Sequence, residues 1–368
     1  MILSKKIRLF PTEEQEKDFI RFSGASRWCW NECLAYRDNR YFESKQKTTI
    51  QECIEHLQDL KYGSEEYKWL QDIPEAITKQ VVKDLDKSFK EFFKGIKRYP
   101  KFKKKGKCKV SFYQRTDRFR QVDDTHVKIT GVKAPVRIHK CIIPLKVLNT
   151  RISYDNKFWH LSYSYEVPEK ECTHSDIVLG GVDLGIKNFA VISDGRTYKN
   201  INKTFRMRKL QKRRKRLQRK LSRKYLCSHY QKTSNIKKLE NVLRLLDRRI
   251  TNIRKTYIHT VTRDLVRNTP RKIVIEDLNI KGMMKNRHLS KSIQEQAFYT
   301  FREYLTYKCK LYNIELLIAD RFFPSSKRCS RCGGIKDVLK LSERVYTCEH
   351  CHLVIDRDLN ASINLASL

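Results

Sequence analysis

Two cysteine pairs constrain this chain more than any other feature. Cys329-Ser330-Arg331-Cys332 and Cys348-Glu349-His350-Cys351 are each C-x2-C, and fifteen residues separate them. Two such knuckles let four thiolates converge tetrahedrally on one zinc at about 2.3 Å. Four protein ligands close the shell, so that metal is structural rather than catalytic. His350 and His352 lie nearby, but both pairs are complete without them. The other cysteines, Cys29, Cys33, Cys53, Cys108, Cys141, Cys172, Cys227 and Cys309, are scattered and read as reduced, mostly packed thiols.

Charge narrows the partner. The 79 Lys and Arg exceed the 41 Asp and Glu, for a net charge of +38 over 368 residues. A surplus that large calls for a polyanion, and nucleic acid is the first candidate. With 40% apolar and 11% aromatic residues the chain is globular, long enough for two or three domains. No apolar run is long enough to span a bilayer, and the N-terminus lacks the pattern of a signal peptide. The expectation is a cytoplasmic protein, nucleoid-associated when bound to DNA, with no membrane partner.

Residues 2–10, "ILSKKIRLF", alternate like a strand, and Pro11 and Thr12 open a helix. Residues 13–97 read as mainly helical. One helix there places Ile77, Val81, Leu85, Phe89 and Phe92 on one face, opposite Lys79, Lys83, Lys87 and Lys90. From Lys101 to about Pro168, short β-type runs such as "KVSFYQ", "NTRISYD" and "KFWHLSYSYEV" alternate with turns. With residues 2–10 they suit a small barrel that carries the helical region as an insertion. A third region begins near Ile177 with the strands "IVLGGVDLG" and "FAVIS". Between Arg206 and Lys224, twelve of nineteen residues are Lys or Arg and none is acidic. A second helix carries Leu239, Leu243, Leu246, Ile250, Ile253 and Tyr257 at seam spacing. A strand "KIVIEDLNI", a helix from about Ser292 to Tyr312, a strand "IELLIAD" and a final helix from about Leu359 complete the chain.

Asp183 stands alone in an apolar strand, and Glu276 ends another. Asp356 and Asp358 follow the last cysteine. Buried carboxylates are costly unless paired or metal-bound, and Mg²⁺ takes such hard oxygen ligands. Taken singly, Glu276 is also readable as a surface charge, and Asp356 or Asp358 as the cap of the final helix.

"GVDLGIKNFAVISDG", "IVIEDLNI" and "CSRCG…YTCEHC…DRDLNASINL" resemble the three RuvC motifs and zinc ribbon of the TnpB family, transposon-encoded RNA-guided nucleases related to type V CRISPR effectors. "KKIRLFPTEEQEKDF…SGASRWCWNECLAYR" resembles the family's opening segment, and "LDKSFKEFFKGIKRYPKFKKKG" its passage from helices to barrel. The resemblance covers nearly the whole chain. It implies an α+β multidomain architecture. A barrel (1–12 and 98–174) with a helical recognition insertion (13–97) precedes an RNase H-like RuvC core (175–322 and 354–368) that holds an inserted zinc ribbon (323–353). It further implies an Asp183–Glu276–Asp358 triad for Mg²⁺ or Mn²⁺, with Asp356 the weaker third choice. Cys329, Cys332, Cys348 and Cys351 are the implied zinc ligands. Alternation turns Asp277 the other way. The implied partners are a guide RNA from the transposon end, one protein per RNA, and double-stranded target DNA. Lys79, Gln80 and Lys83 are candidates to read the target-adjacent motif, and Arg213, Arg214, Lys215 and Arg216 to hold nucleic-acid backbone. A nuclease-inactive RNA-guided repressor and a strand-transfer transposase are the alternatives.

Overall fold

In a computed structural model, which describes residues 1–168, 180–340 and 343–368, the alternating N-terminus is strand β1 (Ile2–Phe10), followed by helix α1 (Glu13–Ser44). Thr12 caps α1. Its hydroxyl accepts from the Gln15 amide at 3.3 Å, and Gln15 Oε1 accepts from the Thr12 amide at 3.0 Å. This reciprocal box satisfies two donors that the first helical turn leaves unpaired. The chain divides into two units, Met1–Val167 and Pro168–Leu368. The expected boundary at 174/175, Cys172 and the start of "IVLGGVDLG" at Ile177 lie outside the described residues.

The first unit continues through α2 (Ile50–Gly63) and α3 (Glu75–Phe93). Strands β2 (Ser111–Gln114), β3 (Arg120–Asp123), β4 (His126–Lys128), β5 (Val136–Ile138), β6 (Asn149–Tyr154) and β7 (Trp159–Glu166) follow. They join β1 in one seven-stranded sheet of order β2-β6-β7-β1-β5-β4-β3. β2 and β3 are its edges, and among the described residues no ladder joins them. Where a barrel seam was expected, the buried Gln114 side chain at the end of β2 spans to the β4–β5 connection. It donates to Thr130 Oγ1 at 2.8 Å and accepts from the Thr130 amide at 3.1 Å. The first half of α1 packs on the sheet, with Phe19 and Phe22 against Phe112 and Trp159. Its second half forms another core, where Cys29, Cys33 and Leu34 meet Cys53, Leu57, Val82 and Leu85.

The second unit starts with β8 (Gly181–Leu184), β9 (Asn188–Ile192) and β10 (Thr197–Lys199), an antiparallel meander. Helices α4 (Phe205–Cys227) and α5 (Ser234–Val266) pair through Met207, Leu210, Leu246 and Ile250, the middle of the expected seam, whereas Tyr257 at its end packs against Phe189 of the sheet core instead. β11 (Lys272–Glu276) then adds parallel to β8. Helices α6 (Ile280–Met283), α7 (Ser290–Gln296) and α8 (Phe298–Leu311) lead to β12 (Glu315–Ala319), parallel to β11. The sheet order is β10-β9-β8-β11-β12. The single helix expected over 292–312 is two. Ala297 adopts a left-handed φ of 54°, and the preceding Gln296 turns inward to donate to the Gly185 carbonyl at 2.9 Å. A hairpin of β13 (Val345–Thr347) and β14 (Val354–Asp356) runs directly into α9 (Arg357–Ala366). No helix among the described residues is long and apolar enough to cross a membrane. The described cysteines are free thiols; Cys29, Cys33, Cys53 and Cys309 are buried, whereas Cys227 is exposed.

Candidate active site and metal centre

Strand alternation sets two of the carboxylates. Val182 and Leu184 enter the core shared with α5 and α8, so Asp183 turns to the opposite face. In β11, Ile273 and Ile275 enter that same core, while Val274 packs with Leu365 of α9. Glu276 therefore shares the α9 side. β8 and β11 are in register with Ile275 beside Val182. The next residues, Glu276 and Asp183, are neighbours at the carboxyl ends of two parallel strands, where open α/β sheets bind ligands.

α9 contributes the third. It crosses β8 so closely that a Cβ on Gly181 would sit 2.0 Å from the Ser362 carbonyl oxygen. A Cβ on Gly180 would sit 2.0 Å from Ala366 Cβ. Only glycine admits that approach. Asp356 is the helix cap: its Oδ1 accepts from the amides of Asp358 at 2.9 Å and Leu359 at 3.1 Å. The cap commits Asp356 and leaves Asp358 half-buried in the first turn.

Burial pushes the Asp183 carboxyl well above the usual carboxylate range, and the charges of Glu276 and then Asp358 raise it further. Asp356 adds less than either. Asp277 turns away, as expected. It accepts from Arg321 at 2.6 Å and Arg302 at 3.0 Å, which hold its carboxyl below the usual range.

The four cysteines converge. Their sulfurs all lie within 4.8 Å of one another, and among the described residues no other His, Cys, Asp or Glu group meets that spacing. The carboxylates are thus gathered more loosely than the thiols. Cys329 and Cys351 sulfurs are 3.5 Å apart, as are those of Cys332 and Cys348. Sulfurs at 2.3 Å from a tetrahedral zinc would be about 3.8 Å apart, so the donor set fits that metal.

One residue of the site was not foreseen. The buried Ser325 hydroxyl donates to Glu276 Oε1. Its carbonyl accepts from Asn364 Nδ2 at 2.8 Å, and the same amide reaches the Arg328 carbonyl at 2.6 Å. Asn360 also donates to Arg328 and accepts from the Ser330 amide at 3.0 Å. Two asparagines one turn apart on α9 thus fasten the first cysteine knuckle beside Glu276. The available signal was "DLNASIN", where both asparagines fall on the apolar face of a short helix.

The seven candidate contact residues fall in both units. In the first unit, Lys79 pairs with Glu75 at 2.7 Å, Gln80 donates to Asp84 at 3.0 Å, and Lys83 is exposed. In the second, Arg214 is committed to Asp247 of α5 at 2.5 Å, whereas Arg213, Lys215 and Arg216 are exposed along α4.

Fold and site together define a strongly basic protein whose mixed sheet gathers acidic residues at parallel strand ends, beside a cysteine-framed hairpin. Residues 298–365 match the family described as "Cas12f1-like, TNB domain". Residues 162–287 match "Probable transposase", and 1–54 a "Helix-turn-helix domain". A Streptomyces pristinaespiralis protein, provisionally named an RNA-guided DNA endonuclease, is 28% identical over 98% of this chain and 87% of its own. An Escherichia coli K12 protein with the same provisional activity, InsQ, is 28% identical over 98% of this chain and 90% of its own. A solved complex of Cas12f1 with single guide RNA and target DNA covers 100% of this chain and 99% of its own, at 15% identity and a TM-score of 0.38. The chain belongs to the TnpB family of IS605-type transposon proteins, related to the type V effectors.

Proposed function

We propose that this protein is an RNA-guided DNA endonuclease of a transposon, hydrolysing phosphodiesters in a metal-dependent reaction at Asp183, Glu276 and Asp358. The observation that carries the reading is the meeting of carboxylates from β8, β11 and α9, in a chain whose relatives bear that activity in their names. The mixed sheet is then an RNase H-like RuvC core, and the β13–β14 hairpin with its knuckles a zinc ribbon. The seven-stranded sheet with α1–α3 is the barrel and recognition lobe.

Asp183, Glu276 and Asp358 offer the hard oxygens that Mg²⁺ or Mn²⁺ prefers. Bound there, such cations supply Lewis acidity and an activated water for attack on the scissile phosphate. The chain's own part is placement. Ser325 holds one oxygen of Glu276 and so fixes which way its carboxylate faces. Asn360 and Asn364 tie that contact to the knuckle which zinc would close. Exposed Arg213, Lys215 and Arg216 hold backbone phosphates, which fixes register without reading sequence. Guide pairing reads the target, while Lys79, Gln80 and Lys83 attend to the short adjacent motif. One chain serves one RNA.

The test is to express the protein with its flanking DNA, sequence the RNA that co-purifies, and offer that RNA with matching duplex DNA and Mg²⁺. One discrete RNA ending in the transposon flank, with guide-dependent cutting, is expected. Random cellular RNA together with no cutting in Mg²⁺ or Mn²⁺ would sink the reading.

A further inference from the structure

The first unit contains a hollow of about 130 Å³ bounded by α1, α3, β2 and the segment that precedes β2. Ser23, Ser26 and Arg27 line it from one face of α1. Both serines are only 8% exposed, and neither hydroxyl has a hydrogen-bond partner among the described residues. Helical serines commonly return the hydroxyl to the carbonyl four residues back; these do not. Buried polar groups in native proteins are nearly always satisfied. Two hydroxyls without a protein partner, three residues apart at one hollow, are free to donate to oxygens that enter it.

Charge gives the class of that ligand. Arg27, Lys103, Lys109 and Arg151 all line the hollow, against one carboxylate, Asp84. Asp84 is already engaged by Arg151 at 2.8 Å and by Gln80 at 3.0 Å. Burial draws the Lys103 ammonium down to about 8, and a neighbouring anion would reverse that. The lysine segment is fixed in place. Asn31 of α1 accepts from the Lys103 amide at 2.7 Å and donates to its carbonyl at 3.0 Å. Lys103 Nζ lies 3.3 Å from the centre of the Trp30 ring. The volume falls below the roughly 300–1,000 Å³ of pockets for drug-sized ligands, so it suits one compact group.

We propose that Ser23, Ser26 and Arg27, with Lys103 and Lys109, form a subsite for a single phosphodiester of bound nucleic acid. The hydroxyls donate to its oxygens, Arg27 offers a fork of N–H groups, and exposed Lys109 stands at the mouth. Such a contact fixes register and is blind to sequence. The inference rests on the nucleic-acid reading above, but its test reads binding and not cutting.

The whole protein is compared with the double variant Ser23→Ala, Ser26→Ala and, separately, with Lys109→Gln, an exposed change that leaves folding untouched. The probes are the flank-derived RNA, a labelled DNA duplex, and inorganic phosphate alone. The double variant should bind RNA or DNA about tenfold more weakly while melting no lower than the parent; the probe that weakens identifies the strand held. Lys109→Gln should lower the slope of log affinity against log salt by about 0.9. Unchanged affinities for both nucleic acids overturn the proposal. So does a melting shift with inorganic phosphate that the double variant loses while keeping its nucleic-acid affinity, because the ligand is then free phosphate. A parent that fails to cut with its guide refutes the nuclease reading and leaves this binding comparison intact.

Discussion

The two candidate metal centres of the second unit are built in opposite ways. The cysteine site draws its four ligands from two short knuckles, and its sulfurs are already packed at ligand spacing. The acidic site draws on β8, β11 and α9, segments far apart in sequence, and its oxygens stand further apart. Thiols can crowd when neutral. Carboxylates repel: burial raises the Asp183 carboxyl most, and the charges of Glu276 and Asp358 raise it further. A structural site can be closed in advance, whereas a catalytic one must keep room for cation, water and phosphate.

That contrast is open to attack from both sides. Replacing Asp183, Glu276 or Asp358 by Ala should lower guided cleavage by at least about 100-fold, since even outer-shell partners of metal ligands cost 10–100-fold. Nucleic-acid affinity should stay within about twofold by gel shift. Normal cutting by Asp358→Ala together with none by Asp356→Ala would falsify the choice of third ligand. Cys348→Ser should release zinc, measured as metal per chain, and melt the ribbon early, because structural zinc contributes directly to folding. Cleavage should fall with it. Zinc retained at one per chain would show that four thiolates are not the shell.

A smaller effect joins the two sites. Ser325→Ala should lower cleavage about 10-fold and raise the Mg²⁺ concentration needed for half-maximal cutting while zinc stays bound, and Ser325→Thr should restore both. Equal activity in all three forms would mean that the hydroxyl only packs. Smallest of all, Asp356→Ala should cost about 1 kcal/mol of stability through the lost cap, read by denaturant unfolding, with cutting preserved.

Much of this comparison was legible in the residues. The knuckle spacing alone brings the thiols together, and alternation alone puts Asp183 and Glu276 on the face away from the core. The choice between Asp356 and Asp358 was not decidable that way, because either can cap a helix. The structure starts α9 at Arg357, which makes Asp356 the cap and puts Asp358 in the first turn. The break at Ala297 escaped a reading based on periodicity, since the apolar spacing continues through it and the hydrogen bond beside it, from Gln296 to the Gly185 carbonyl, joins residues remote in the chain. Ser325 escaped for the same reason: its partner, Glu276, is remote in the chain and brought near only by the fold. Six of the seven strands were visible as runs, but β3, the short edge strand RQVD with no apolar alternation, was not, and neither was the pairing order, which is a long-range property.

The close crossing of α9 over Gly180 and Gly181 has a consequence for biosynthesis. A ribosome delivers Asp183 early and Asp358 late. At about 5–20 residues per second the interval between them is roughly ten to thirty seconds. Through that interval β8 has no helix to cover its acidic face, and the third carboxylate does not yet exist outside the tunnel. A nascent chain has the whole of its first unit outside the tunnel in this time, while the face of β8 that carries Asp183 waits for α9. Translation order itself therefore makes the gathering of Asp183, Glu276 and Asp358 one of the last events in the making of the second unit.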